Sequence, residues 1–172
     1  MPARFLISSQ TLTSSAASVT FSSIPATYTD LVLRWSARDD QANYTQTTRM
    51  RLNSSAVSEY SWTQLYDSAG TVGSFTSGTA ANNQFAYGSN GTSSTSNTFT
   101  NYEVYFPSYT VAQNKPFGAF GVNEDNSANG YIIASAHLWR NTAAINTILL
   151  FPNTGDFVSG SSFYLYGISK TN

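Results

Sequence analysis

The most constraining feature of the sequence is the stretch Thr29 to Arg38, in which apolar and polar side chains alternate. A β-strand turns successive side chains to opposite faces, so this alternation predicts a strand with one apolar face. The apolar positions are Leu31, Leu33, Trp35 and Ala37. Burying one leucine or tryptophan side chain contributes about 1.5–3 kcal/mol, so this face needs a second apolar surface to cover it.

The rest of the chain contains further strand-like stretches separated by turn residues, and we find no amphipathic helix of useful length. These predicted strands lie at 18–24, 46–53, 60–66, 84–88, 99–109, 117–123, 131–140, 145–151 and 161–168. The pattern amounts to about eight to ten strands, which predicts an all-β, jelly-roll-like sandwich of two sheets. Periodicity alone does not distinguish a jelly roll from an immunoglobulin-like sandwich.

The chain has 172 residues, which fits a single domain with a substantial core. We predict an N-terminal arm or edge strand at 1–17 and one β-sandwich domain at 18–172. The span 67–98 is rich in Gly, Ser and Thr and has little regular alternation, so we expect a long loop there. The predicted core comprises Leu31, Leu33, Trp35, Leu52, Leu149, Phe163 and Leu165.

Charged residues make up only 10% of the chain, and the net charge is −1. A net charge this close to zero does not indicate a basic surface that would bind nucleic acid or an anionic membrane. No apolar run in the sequence is long enough to span a bilayer. We therefore expect neither nucleic acid nor a membrane as a partner. The absence of cysteine excludes disulfides and thiolate metal sites, and no signal peptide is visible.

Residue patterns that would indicate catalysis are weak. His137 is the only histidine, and no nucleophile elbow accompanies it, so a histidine general base is not indicated. The carboxylate pairs Asp39–Asp40 and Glu124–Asp125 are sequence neighbours on predicted turns, where side chains diverge. We expect no enzymatic activity, no cofactor and no metal site.

Aromatic side chains at predicted strand ends and in loops are a stronger functional signal. Such rings stack on sugars or become buried at protein interfaces, and the alternative is ordinary packing at sheet edges. The residues concerned are Tyr28, Tyr44, Tyr60, Trp62, Tyr66, Tyr87, Tyr102, Tyr109 and Tyr131.

Apolar side chains on the second face of several strands predict a subunit interface. For the strand at 131–140, we expect the face with Ile132 and Leu138 to point into the core, which leaves Ile133 and Trp139 on the opposite face. No helix is available to cover that face, but a second subunit is. The predicted interface residues are Phe5, Leu6, Ile7, Ile133, His137, Trp139, Tyr164, Tyr166 and Ile168.

Four stretches, taken in order, resemble small virion proteins of tailed bacteriophages that serve as capsid decoration (cement) or fibre-associated proteins. They are SAASVTFSSIPATYTDLVLRWSAR at 15–38, RMRLN at 49–53 followed by Tyr60, AINTILLF at 144–151 and FVSGSSFYLYGI at 157–168. The resemblance covers most of the chain and is weakest in 67–98. It implies a jelly-roll-like sandwich, a homotrimer and no enzymatic activity.

These expectations lead to one function and one main alternative. The leading hypothesis is a decoration protein that binds the major capsid protein on the outer surface of the phage head after synthesis in the cytoplasm of the host bacterium. The alternative is a tail-fibre or spike module that binds a glycan of the host surface. A carbohydrate-active enzyme is disfavoured because the sequence lacks an acid–base pair of carboxylates.

Overall fold

The structure is a computed structural model that describes residues 3–125 and 130–169. Within these ranges the chain forms twelve strands and no helix, and so no helix that could cross a membrane. The strands are β1 (Ala3–Thr11), β2 (Val19–Phe21), β3 (Asp30–Ala37), β4 (Thr45–Leu52), β5 (Tyr60–Ser68), β6 (Thr71–Ala80), β7 (Asn83–Asn90), β8 (Thr100–Phe106), β9 (Lys115–Asn123), β10 (Tyr131–Trp139), β11 (Ile148–Pro152) and β12 (Ser162–Ser169).

The strands form two antiparallel sheets that pack face to face as a β-sandwich. The large sheet has eight strands in the order β1-β12-β3-β8-β9-β10-β5-β6, and the small sheet has four in the order β2-β11-β4-β7. Strands β1-β12-β3-β8 and the small sheet together have the connectivity of a jelly roll. The remaining four strands extend the large sheet beyond β8. The predicted fold class is therefore confirmed.

The strand count and the expected long loop were wrong. The span 67–98 contains β6 and β7, so the described part of the chain has twelve strands, not eight to ten. The sequence of β6 is dominated by Thr, Ser and Gly and shows no apolar alternation. Its extended conformation follows from pairing with β5 along almost its whole length, which a pattern of side chains does not reveal.

The strand predicted within 29–38 corresponds to β3, which lies inside the large sheet between β12 and β8. All four of its predicted apolar positions are buried, as are Leu52, Phe163 and Leu165. Leu149 was wrongly placed in the core, because in β11 the inward positions are Ile148 and Leu150. Residues 148–151 are all apolar, so the sequence of this strand carried no information about which face points inward.

Residues 3–11 form an edge strand rather than a free arm. β1 pairs with β12 from Ala3 opposite Ser169 to Thr11 opposite Ser162, with an irregularity between Leu6 and Ser8. Residues 1 and 2 of the predicted segment 1–17 lie outside the described residues, as do residues 126–129 and 170–172 of the predicted domain 18–172.

Two glycines in β9 provide a matched test of how tightly side chains pack on the inner face of the large sheet. A Cβ at Gly121 would overlap the ring of buried Tyr102, whereas the nearest atom to a Cβ at Gly118 is the Ser135 carbonyl oxygen at 3.8 Å. We expect Gly121→Ala to lower the free energy of unfolding by about 1–3 kcal/mol. Gly118→Ala is expected to change it by less than about 1 kcal/mol, towards greater stability. Equal effects in urea denaturation would contradict the tight packing of Tyr102.

Candidate functional site

Three predicted interface residues on β10 point into the core, so this part of the interface prediction was wrong. Ile133, His137 and Trp139 are buried, and the alternate positions with Ile132 point outward. The indole N–H of Trp139 donates to Glu59 Oε1 at 2.6 Å, and the ring stacks on Tyr60. Both faces of this strand carry apolar side chains, so contacts with other strands decided which one turned inward.

His137 is almost completely buried, and its ring packs against two phenylalanines. Only 4% of the residue is exposed, and its ring lies between Phe85 at 4.7 Å and Phe117 at 5.0 Å. Its Nε2 atom is 2.9 Å from Ser135 Oγ, a pairing that superficially resembles a nucleophile with its base. Burial lowers the pKa of His137 to about 3, so the ring is neutral near pH 7. In the structure, Ser135 and the two phenylalanine rings together enclose the His137 ring.

The carboxylate pair Asp39–Asp40 diverges, as the sequence argument expected. Asp39 is buried, where its carboxylate accepts hydrogen bonds from Ser89 Oγ at 2.7 Å and from the Gln41 backbone N–H at 2.9 Å. Burial raises the pKa of Asp39. Asp40 is exposed, and the hydrogen bond from the Gln41 amide lowers its pKa. Among the described residues, no three acidic or histidine side chains cluster closely enough to hold a metal ion.

The predicted interface residues of the first and last strands have mixed positions. Tyr164 and Tyr166 are half-buried on the outer face of the large sheet, the face that points away from the small sheet. Leu6 is exposed on the same face beside Tyr166. Phe5 is exposed at the sheet edge. Ile168 is only 8% exposed and Ile7 packs against the core, so neither offers much surface to a partner.

The outer face carries an apolar patch that was not predicted from the sequence. Leu65 is 58% exposed, Phe120 is 53% exposed and Ile132 is 57% exposed. They lie on the adjacent strands β5, β9 and β10, where Phe120 and Leu65 both pair with Ala134. Paired residues on one face are about 4.5–5.5 Å apart between Cβ atoms, so Ala134 connects Leu65 to Phe120. Ile132 lies two residues from Ala134 on the same face of β10, so the patch is continuous. The sequence did contain a signal for this patch, because both faces of the predicted strands at 117–123 and 131–140 carry apolar side chains.

A groove of about 430 Å³ lies beside this patch, between β12 and β9. The residues Tyr164, Arg34, Glu103 and Phe120 form one row across four strands, so the two rings stand on either side of an ion pair. Arg34 Nε donates to Glu103 Oε2 at 2.5 Å, and Arg4 lies 3.8 Å from the same oxygen. Arg34 and Glu103 are exposed, so their ion pair contributes little to the stability of the fold. It places one positive and one negative charge in the lining of the groove.

The other aromatic residues singled out from the sequence divide into two groups. Tyr60, Tyr102 and Tyr109 are buried in the core, so the expectation that their rings are available to a sugar or a protein partner was wrong. Tyr66, Tyr87 and Tyr131 are half-buried, as are Tyr28 and Trp62, and Tyr44 is exposed. Tyr87 stacks on Tyr131 with the ring centroids 3.8 Å apart, and burial raises the pKa of Tyr87 to about 12. Tyr66, Tyr87 and Tyr131 therefore belong to one cluster of packed rings, whereas Tyr28 packs against Phe5.

Comparison with known proteins identified no family for this chain. No protein-family model matches it, and no curated protein sequence matches it.

Proposed function

We propose that this chain is a non-enzymatic structural protein of a tailed-bacteriophage virion. In this proposal it decorates the outer surface of the head as a homotrimer and binds the major capsid protein. The observation that carries the proposal is the uncovered outer face of the large sheet, with Leu65, Phe120 and Ile132 more than half exposed. The resemblance of the four sequence stretches to phage virion proteins supports the same assignment.

Exposed apolar patches of this kind typically mark protein–protein contacts. The small sheet covers only one face of the large sheet, and the described residues include no helix that could cover the other. A second subunit seated on the outer face would remove Leu65, Phe120 and Ile132 from water. A trimer then presents three copies of each capsid-binding surface, so individually weak contacts add through their high effective concentration.

The role of the outer face can be tested by replacing two of its apolar residues. We expect the double variant Leu65→Ser with Ile132→Ser to weaken trimer formation by about tenfold or more, because truncating an interface anchor typically costs over about 1 kcal/mol. The control is Val57→Ser with Val111→Ser, which removes two exposed side chains from loops outside the outer face. Light scattering coupled to size-exclusion chromatography measures the effect. A wild-type monomer at micromolar concentration would contradict the trimer.

The virion itself tests the function. Electron microscopy and quantitative mass spectrometry of purified particles are expected to find this protein on the head, in a copy number comparable to that of the major capsid protein. A few copies at the tail would instead favour a fibre module that binds host glycan. The half-buried tyrosines Tyr164 and Tyr166 in the outer-face groove are the observation that favours this alternative. Absence from the particle would refute both.

A further inference from the structure

Five of the seven cationic side chains in the described residues have a hydrogen-bond or ion-pair partner within the protein. Arg4 and Arg34 pair with Glu103, while Arg38, Lys115 and Arg140 donate hydrogen bonds to backbone carbonyl groups. Arg49 and Arg51 differ from all of these. Across residues 3–125 and 130–169, neither of their guanidinium groups makes a hydrogen bond or an ion pair.

The two unpaired arginines lie side by side on the surface of the small sheet. Met50 and Leu52 of β4 are buried in the core, so Arg49 and Arg51 project from the opposite face. Residues two apart in a strand are separated by about 6.5–7 Å. The Arg51 guanidinium carbon lies 5.1 Å from the centroid of the Phe151 ring, a contact that holds the cation in position.

The residues that flank this arginine pair bring no negative charge to it. Arg49 pairs across the sheet with Phe151 and Gln84, and Arg51 pairs with Leu149. The Nε atom of each arginine is buried without an acceptor. In a chain with so few charges, two partly buried guanidinium groups without a counter-charge indicate that the counter-charge comes from a ligand.

An uncharged groove of about 170 Å³ begins next to the arginines. Gln84, the cross-strand partner of Arg49, lines it, and so does Thr47, two residues before Arg49 on the same strand. Its aromatic walls are half-buried Trp62 and exposed Phe75. Rings, amides and a hydroxyl, with no charged group, match the C–H faces and hydroxyl groups of a sugar.

The base of the groove is rigid. The side-chain amide of Gln64 donates to the Gln84 carbonyl at 2.6 Å and accepts from the Ala86 backbone N–H at 2.9 Å. Gln64 thereby satisfies backbone groups on the free edge of β7, which has no strand partner on that side. A site held in this way loses little conformational entropy when a ligand binds.

We infer that this surface binds an anionic saccharide. Its carboxylate or phosphate group contacts Arg49 and Arg51, because guanidinium groups match the geometry of these oxyanions. The sugar ring attached to the anion lies in the adjacent groove, against Trp62 and Phe75. This site is on the opposite face of the sandwich from the proposed subunit interface, so it functions whether the protein decorates a head or belongs to a tail.

Calorimetric titration tests the inference with three probes: a galacturonic acid trisaccharide, galactose 6-phosphate and the neutral galactose trisaccharide. We expect at least one anionic probe to bind more tightly than the neutral trisaccharide, with an affinity that falls as salt is added. The double variant Arg49→Gln with Arg51→Gln is expected to weaken that binding by about tenfold or more. The control variant Arg34→Gln, on the other sheet, is expected to retain it.

Nuclear magnetic resonance provides a readout that does not depend on a variant. The indole N–H signal of Trp62 is expected to shift during titration with the anionic probe. The signals of Trp35 and Trp139 are expected to stay unchanged, since both indoles are hydrogen-bonded inside the protein. Binding of neither anionic probe above the neutral one would overturn the inference. Equally tight binding of a glutamate-rich peptide, lost in the arginine double variant, would overturn it in favour of a protein partner.

Discussion

Replacing Trp35 with alanine is expected to lower the free energy of unfolding by about 3–5 kcal/mol. The side chain is buried at the middle of the core, stacked on Tyr102 at 4.8 Å and in edge contact with Phe85 at 5.2 Å. Its indole N–H donates to the Gly88 carbonyl at 2.8 Å. Truncation therefore opens a cavity between the sheets and leaves a buried carbonyl without its donor.

Urea denaturation monitored by circular dichroism measures this loss, and two further variants define its origin. Trp35→Phe keeps an aromatic ring and removes the N–H donor, so it is expected to cost less than the alanine variant. Tyr44→Ala removes an exposed ring from a loop and is expected to change stability by about 0.5 kcal/mol or less. A loss below about 1 kcal/mol for Trp35→Ala would remove β3 from the core.

Acid is expected to destabilise the protein through His137, with a loss of about 3 kcal/mol between pH 7 and pH 4 from this residue alone. The native pKa is lowered to about 3 by burial, whereas the unfolded chain has the ordinary histidine pKa near 6.5. Between these values the unfolded state binds a proton and the native state does not. The stability present above pH 6.5 is therefore lost progressively as the pH falls towards 3.

The histidine contribution is isolated by comparing wild type with His137→Phe, which keeps an aromatic ring between Phe85 and Phe117. Unfolding free energies are measured in urea at pH 7, 5.5 and 4. The variant is expected to lose less stability than wild type over this range, by about 3 kcal/mol at pH 4. Identical pH dependence of the two proteins would show that His137 is accessible to protons in the native state.

Alternation of side chains was sufficient to predict the fold class and the central strand. The inward residues of β3 are all buried, because one side of this strand is apolar and the other is largely polar. Applied to the predicted strand at 46–53, the same rule turns Met50 and Leu52 inward and places Arg49 and Arg51 on the opposite side, as the structure has them. A period of two is a local property of an extended chain, so the sequence alone can show it.

Contacts between distant strands decided the rest. In β10 both faces are apolar, so only the positions of Phe117 and Tyr60 on neighbouring strands, and of Phe85 across the sandwich, turned His137 and Trp139 inward and left Ile132 exposed. β6 has almost no pattern of its own and is a strand because β5 pairs with it. The apolar outer face and the unpaired arginines emerged for the same reason: local periodicity assigns a side chain to a face, but tertiary packing alone determines whether anything covers that face.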